Sequence, residues 1–135
     1  HLFSFAEREG GPNAHRKVVL LLSQQEEHKY KLLIAPYFCY MDWPLHQIVC
    51  KGQYFTLEFK GDNFEAEAYI TFKYNKHADN FFLHRYGYID LSRGEQGAKK
   101  EVQLTTKDFG EVFFQDFYIE EFDHMIDSQF SGEEE

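Results

Sequence analysis

The alternation of apolar and polar residues between Tyr54 and Tyr74 constrains the fold of this chain more than any other feature. Phe55, Leu57 and Phe59 alternate with polar neighbours, and the same period resumes after the turn residues Gly61-Asp62-Asn63. Successive side chains of a strand point to opposite faces, so this period of two predicts an antiparallel hairpin with one buried face. The chain is therefore expected to be a β protein.

The same alternation predicts how the hairpin pairs. A loop with an odd number of residues would mix apolar and charged residues on one face, so a loop of two or four residues is expected. Such a loop places Glu58 opposite Glu67 on the outer face, where two like charges repel each other mildly. The expected pairs are Lys60 with Glu65, Phe59 with Ala66, Leu57 with Ala68, and Phe55 with Ile70.

Other segments also have the length and composition of strands. They are Arg16–Leu22, Tyr30–Ala35, Gln47–Lys51, Phe81–Leu91, Lys100–Thr105 and Val112–Tyr118. The segment after Tyr118 is expected to form a short helix or an extended tail, because its residues tolerate a helix. Residues 1–15 are turn-rich and predict an N-terminal arm, a short helix or an added strand, and residues 131–135 a mobile acidic end.

Seven or eight short strands in 135 residues predict one all-β domain spanning residues 1–135. The favoured architecture is a single antiparallel β-sandwich, with a C2-like sandwich or a small barrel as the alternative.

The charge balance disfavours two classes of partner. Fourteen Lys and Arg face 23 Asp and Glu, which gives a net charge of −9, and no basic run is available to neutralise phosphates. Nucleic acid is not expected as a partner, nor is an anionic membrane, whereas a basic or neutral protein surface is.

Cysteine usage predicts a reducing compartment. Cys39 and Cys50 do not form a disulfide framework, and the chain has no Asn-x-Ser/Thr sequon. Both thiols are expected to be reduced, to sit among apolar aromatic residues and to behave as small hydrophobes, with a single Cys39–Cys50 bridge as the alternative. The cytoplasm or the nucleus is the expected location.

Residues that carry catalytic or metal chemistry are sparse. Glu58 and Glu67 are candidates for a carboxylate pair, although a solvated strand face explains them more simply. The His/carboxylate pairs at His77-Ala78-Asp79 and Asp123-His124 do not have zinc spacing. No metal, no cofactor and no enzymatic activity are expected. A deep pocket lined by two or more titrating residues would be the sign of an enzyme.

Asp residues near the predicted strand ends are the feature that a C2-like calcium site would use. They are too scattered to supply several oxygens to one ion, so solvated positions are the simpler explanation. These residues are Asp42, Asp62, Asp79 and Asp90.

Four short motifs resemble, in order and spacing, the p23 (CS-domain) co-chaperones across roughly residues 28–127. They are Gly61-Asp62-Asn63-Phe64, Arg93-Gly94-Glu95-Gln96-Gly97, Val102-Gln103-Leu104-Thr105 and Asp116-Phe117. The resemblance implies a seven-stranded antiparallel sandwich with an acidic tail that binds the chaperone Hsp90. It also implies that Phe117 occupies a family aromatic position, while Glu120 stands where the family has a partner-contacting Trp and Phe122 lies close by.

The aromatic run near the C-terminus has two interpretations. Phe113, Phe114, Phe117 and Phe122 are either core residues or, on one side, an exposed patch that binds a partner. We predict a non-enzymatic, co-chaperone- or adaptor-like module that binds another protein through an aromatic and acidic C-terminal strand or a sheet edge. The expected contact residues are Phe113, Phe117, Glu120 and Phe122.

Two other functions fit the sequence. One is a C2-like sandwich in membrane trafficking or scaffolding. The other is an acidic β-sheet chaperone for basic proteins such as histones.

Overall fold

The computed structural model describes residues 2–6, 15–24, 29–40, 42–61, 65–91 and 100–133, with side chains within 16–20, 31–40, 42–61, 65–91 and 101–129. Eight strands lie in this part of the chain: β1 (Leu2–Ala6), β2 (His15–Gln24), β3 (Lys29–Tyr40), β4 (Leu45–Lys51), β5 (Tyr54–Phe59), β6 (Ala66–Asn75), β7 (Asn80–Asp90) and β8 (Lys100–Thr105). The helical elements are α1 (Thr106–Phe109), a 3₁₀ turn (Phe114–Asp116) and α2 (Ile119–Glu133).

The strands form two antiparallel sheets. Sheet A has the order β1-β2-β3, and sheet B the order β4-β5-β6-β7-β8. The prediction of a mostly β, antiparallel chain that ends in a helix is confirmed. Strands also form at every expected segment except Val112–Tyr118.

The β5–β6 hairpin has the predicted faces but not the predicted register. Phe59 pairs with Ala68, Leu57 with Ile70 and Phe55 with Phe72, so each partner lies two residues further along than expected. A shift of two residues keeps every side chain on its face, which is why alternation alone does not exclude it.

The observed register has two local advantages. The rings of Phe55 and Phe72 stack with centroids 5.2 Å apart, and Tyr69 rather than Glu67 lies opposite Glu58. Glu58 and Glu67 are therefore diagonal neighbours and not directly opposite each other, as the predicted register would have placed them. Residues 60–67 lie between the paired residues Phe59 and Ala68, which is an even number as parity requires, but longer than the two or four residues expected.

The two sheets share one hydrophobic core. Leu20, Leu33 and Phe38 of sheet A are buried in the same cluster as Leu57 and Ile70 of sheet B. The 3₁₀ turn packs on β3 and β7, and α2 packs on β3 and β8. The helical C-terminal segment therefore contacts both sheets.

The segment expected to be a strand at Val112–Tyr118 forms only one bridge, between Phe113 and Phe82. The chain then tightens into the 3₁₀ turn, and Phe114, Phe117 and Ile119 are all buried. A strand would send alternate rings to solvent. The tighter turn buries closely spaced aromatic residues, so burial overrides the strand preference of the aromatic run.

The two ends of the chain can be compared with the expected N-terminal arm and the expected mobile acidic end. Leu2–Ala6, within the expected arm, is strand β1 paired with β2, while residues 7–14 lie outside the described residues. The helix α2 runs into the expected mobile end as far as Glu133, and residues 134–135 lie outside the described part. No helix in the part of the chain that the structure describes is long and apolar enough to cross a membrane.

Candidate functional site: an acidic and aromatic cleft

A cavity of about 280 Å³ lies at one end of the molecule, where the last residues of β3 and β7 meet α2. We call it the acidic–aromatic cleft. Its lining consists of three aromatic residues, three carboxylates and one isoleucine: Tyr40, Trp43, Tyr88, Asp90, Asp123, Ile126 and Asp127.

The aromatic wall comes from the chain crossing between the two sheets. Tyr40 ends β3, and a turn follows in which the Trp43 amide donates to the Tyr40 carbonyl over 3.2 Å. The two rings lie 5.9 Å apart, and Trp43 also meets Phe59 edge-on at 5.4 Å. Trp43 is therefore held between the cleft and the core, with 8% of its surface exposed.

The acidic wall comes mainly from α2. Asp123, Ile126 and Asp127 have the i, i+3, i+4 spacing that places side chains on one face of a helix. Ile126 is buried in the core and anchors this face, while Asp123 accepts a hydrogen bond from the Tyr40 hydroxyl. That bond ties the end of β3 to α2.

The electrostatics of the cleft favour a positively charged occupant. Burial raises the pKa of the Asp123 carboxyl, and the nearby carboxylates of Asp127 and Glu120 raise it further, against the lowering effects of the Tyr40 hydrogen bond and His124. Burial also raises the pKa of Tyr40, and the hydrogen bond to Asp123 adds to this. Tyr40 is therefore a neutral donor at physiological pH, in a cleft whose charges are negative.

Aromatic faces and carboxylates together bind organic cations. A guanidinium or ammonium group over Trp or Tyr gains about 0.5–2 kcal/mol from the ring, in addition to its attraction to a carboxylate. Within the described residues, no group of three His, Cys, Asp or Glu side chains is arranged to hold a metal ion. The chemistry that the lining offers is recognition of a cationic side chain.

Two of the four sequence-predicted contact residues, Phe117 and Phe122, lie in the core. Each is 1% exposed, and their rings stack on each other at 4.9 Å. Phe117 also lies 4.4 Å from Phe38 of β3, and Phe122 stacks on Tyr86 at 5.6 Å. In this structure the two rings hold the helical segment on the sheets and offer no surface to a partner.

The other two predicted residues are partly exposed but lie in different places. Phe113 is half-buried and packs 4.4 Å from Phe82. Glu120 is half-buried, accepts a hydrogen bond from the Tyr118 hydroxyl over 2.7 Å, and acts on the pKa of Asp123. Glu120 is therefore close enough to Asp123 to affect its pKa, but it does not line the acidic–aromatic cleft.

The outer face of sheet B extends the acidic character of this end of the molecule. Glu67 and Glu101 flank Ile89 from the neighbouring strands. Ile89 precedes Asp90 of the cleft, and its side chain points to the opposite face of the sheet. Tyr69 donates to Glu67 over 2.7 Å. This bond raises the pKa of Tyr69 to about 12, together with burial and the charges of Glu67, Glu58 and Glu101. The surface around Tyr69 therefore carries the three carboxylates of Glu58, Glu67 and Glu101. We call it the acidic outer face.

The other residues that the sequence analysis considered, Asp79, Cys39 and Cys50, lie outside the cleft. Asp79 lies in the β6–β7 turn and accepts a hydrogen bond from Tyr74 and one from Lys31. Cys39 is buried, and burial raises its pKa to about 12, so it behaves as the expected small hydrophobe. Cys50 is exposed on the edge strand β4, which contradicts the expectation of an apolar aromatic environment.

Sequence reasoning missed most of the cleft. Its residues come from three separate stretches of the sequence, 40–43, 88–90 and 123–127, and only folding brings them together. Two weak signals were present: Trp43 is the sole tryptophan of the chain, and Asp123 and Asp127 have the spacing of one helix face.

No protein-family model matches this chain, and no curated protein or solved structure was found to be similar to it.

Proposed function

We propose that this protein is a non-enzymatic interaction module, built as an antiparallel β-sandwich, which binds a basic segment of another protein at its acidic end. A cationic side chain of that segment enters the acidic–aromatic cleft. The observation that carries the proposal is the convergence of Tyr40, Trp43 and Tyr88 with Asp90, Asp123 and Asp127 around one cavity.

The sandwich architecture is supported by the relation between the two sheets. Their strands pair only within their own sheet among the described residues, as separate layers do and a closed barrel does not. Phe38 of β3 lies 5.8 Å from Phe72 of β6, and both belong to the core cluster that the sheets share. Two antiparallel layers around one core are the arrangement expected of a sandwich.

Charge and shape together favour a basic protein segment as the partner. The net charge of −9 and the acidic outer face attract positive chains over the range of a Debye length, about 8 Å at physiological salt. The cleft then supplies the short-range contacts that hold one side chain. Aromatic anchors with charged residues around them are a common basis of protein recognition.

Several partners are compatible with this chemistry. The resemblance to p23 co-chaperones implies an Hsp90-type chaperone, although Phe117, the aromatic position it carries over, is buried here. Basic proteins such as histones have many side chains that suit the cleft. We place the protein in the cytoplasm or nucleus, where the thiols of Cys39 and Cys50 stay reduced.

A second candidate function is acid–base catalysis in the same cleft. The pKa of Asp123 is raised, and its carboxyl is hydrogen-bonded to Tyr40 beside two further carboxylates. Groups with perturbed pKa in a cavity are the usual sign of a general acid. We rank binding first, because the aromatic wall and the acidic outer face favour a cation over a neutral substrate.

Trp43 allows a direct test, because it is the only tryptophan and lines the cleft. Titration with an Arg- and Lys-rich peptide should give a saturable change in its fluorescence, whereas a Glu-rich peptide of equal length should give none. Asp127→Asn should weaken binding about tenfold, the effect of removing one charge-assisted contact of 1.4 kcal/mol.

Glu121→Gln is the matched control, since Glu121 is exposed on α2 and does not line the cleft. It should change affinity less than twofold. Equal effects of the two substitutions would indicate that net charge alone governs binding and would contradict the role of the cleft. Turnover of a substrate library that is lost in Asp123→Asn, without peptide binding, would favour the catalytic candidate.

A further inference from the structure

A second cavity, of about 390 Å³, lies at sheet B where α1 leaves the edge of the sheet. We call it the His84 groove. It is lined by Lys73, Tyr74, Asn75, Phe82, Leu83, His84, Thr106, Gly110 and Glu111. His84 and Asp90 are six residues apart on β7, about 20 Å at 3.3 Å per residue, so the groove is separate from the acidic–aromatic cleft.

A β-bulge creates the groove. Thr71 pairs with Arg85 and Phe72 with Leu83, so His84 is the extra residue of β7 without a register partner on β6. At the same point β7 changes its other neighbour: Arg85 pairs with Thr105 of β8, while the Leu83 amide donates to Val112 over 2.8 Å. Bulges re-aim side chains and are frequent beside binding sites.

The groups around His84 make this region positive within an acidic protein. The Lys73 ammonium lies 5.5 Å from the centre of the Tyr54 ring, and the His84 ring meets the same tyrosine edge-on at 5.1 Å. Burial lowers the pKa of His84, and the positive charges of Arg85 and Lys73 lower it further. The imidazole is therefore neutral at physiological pH and can donate one hydrogen bond.

The lining also has an apolar and an acidic part. Phe82 is half-buried and lines the same cavity as Lys73, whereas the side chain of the neighbouring Leu83 belongs to the core. Glu111 contributes one carboxylate. Asp108, on the adjoining α1, accepts from the Thr105 amide over 2.8 Å in the capping box of that helix.

We propose that the His84 groove binds a small organic carboxylate with a flat apolar body. Lys73 and Thr106 supply donors for the carboxylate, His84 a third, and Phe82 receives the apolar body. The volume falls within the 300–1,000 Å³ of small-molecule sites, which are commonly apolar with a few convergent polar groups. This site is independent of the proposed binding of a basic protein segment.

Phenylacetate is a suitable probe, and isothermal titration with amide NMR shifts measures its binding. Saturable binding with shifts confined to β6, β7 and α1 is expected, with Trp43 fluorescence unchanged. Phenethylamine has the same ring but a positive charge, and it should bind at least tenfold more weakly. Inorganic phosphate carries charge without the apolar body, and it should also bind at least tenfold more weakly.

Lys73→Met should weaken phenylacetate binding about tenfold, as loss of one charge-assisted hydrogen bond does. Lys76→Met is the matched control, because Lys76 is exposed in the neighbouring turn and does not line the groove. Glu111→Gln should tighten binding by removing a negative charge, and His84→Gln, which keeps a donor, should weaken it less than Lys73→Met.

Three results would overturn the proposal. They are the absence of saturable binding at 10 mM, a Lys73→Met affinity equal to that of Lys76→Met, and equal binding of phenylacetate and phenethylamine. Equal binding of phosphate would show that the groove selects charge alone, which also contradicts recognition of an apolar carboxylate.

Discussion

At the scale of single residues, the bond between Tyr40 and Asp123 combines structure with the chemistry of the cleft. The carboxyl group is partly buried, and its pKa is raised by burial first and then by neighbouring carboxylates. Its charged form is therefore disfavoured by folding, although the same group holds β3 to α2 through the tyrosine hydroxyl.

Asp123→Asn tests this balance. The native state holds the Asp123 proton more tightly than the unfolded state does, so wild-type stability falls as pH rises through the raised pKa. Asn still accepts the Tyr40 hydrogen bond but carries no charge. We expect the variant to gain stability relative to wild type on going from pH 4 to pH 7, measured by urea unfolding at each pH. A constant difference across this range would contradict the prediction.

Phe117 and Phe113 should respond differently to truncation. Phe117→Ala leaves a cavity beside Phe38 and should lower the free energy of unfolding by about 3–5 kcal/mol, whereas half-buried Phe113→Ala should lower it by about 1–2 kcal/mol. If Phe117→Ala does not fold, Phe117→Leu still tests the point by thermal melting. Equal, small effects of both substitutions would mean that Phe117 is not in the core.

At the scale of elements, the β4–β5 hairpin has a two-residue turn. Lys51 pairs with Tyr54, which leaves Gly52 and Gln53 as the loop, and Gly52 has a φ of +59°. Among the described residues, Asp79 is the one non-glycine residue with a positive φ, so Gln53 has a negative φ. A positive φ at the first loop position only is the signature of a type II′ turn.

Gly52→Ala should therefore destabilise the hairpin. Space is available for a Cβ atom at this position, so the penalty comes from the backbone conformation and should be about 1–2 kcal/mol. Gln53→Ala, at the exposed neighbouring position, should be nearly neutral. Equilibrium unfolding in urea compares the two variants, and a neutral Gly52→Ala would contradict the assigned turn.

The elements also show what sequence patterns determine. Alternation predicted the buried faces of β5 and β6, because side-chain period depends only on backbone geometry. It did not fix their register, since Phe55 faces the core equally well opposite Ile70 or Phe72. The aromatic run after Val112 predicted a strand, yet burying Phe114 and Phe117 together required a tighter turn.

For a related reason, local sequence patterns could not predict the cleft. Tyr40 and Asp123 are 83 positions apart in the sequence, and their contact depends on how α2 packs against β3. Periodicity identifies the face of an element but not its neighbour across the core. The family resemblance points to Glu120, whose effect on Asp123 follows from their i, i+3 spacing on α2.

At the scale of the whole molecule, charge is distributed unevenly along sheet B. Glu58, Glu67 and Glu101 surround Tyr69 on the outer face of sheet B, whereas Lys73 and Arg85 lie near His84 further along the same sheet. The hydroxyls of Thr56 and Thr71 are hydrogen-bonded over 2.7 Å between the two regions. A basic segment is therefore attracted to the acidic end and repelled from the His84 groove.

Because of this uneven charge distribution, we expect the acidic outer face and the cleft to affect different rate constants of peptide binding. Charges outside a binding site act mainly on the association rate through long-range attraction, whereas contacts inside it act on the dissociation rate. Replacing the three glutamates of the acidic outer face by Gln should slow association of an Arg- and Lys-rich peptide and flatten its salt dependence between 50 and 300 mM. Asp127→Asn should instead speed dissociation. Stopped-flow Trp43 fluorescence measures both rates, and a triple variant that changed only dissociation would show that these glutamates contact the peptide directly.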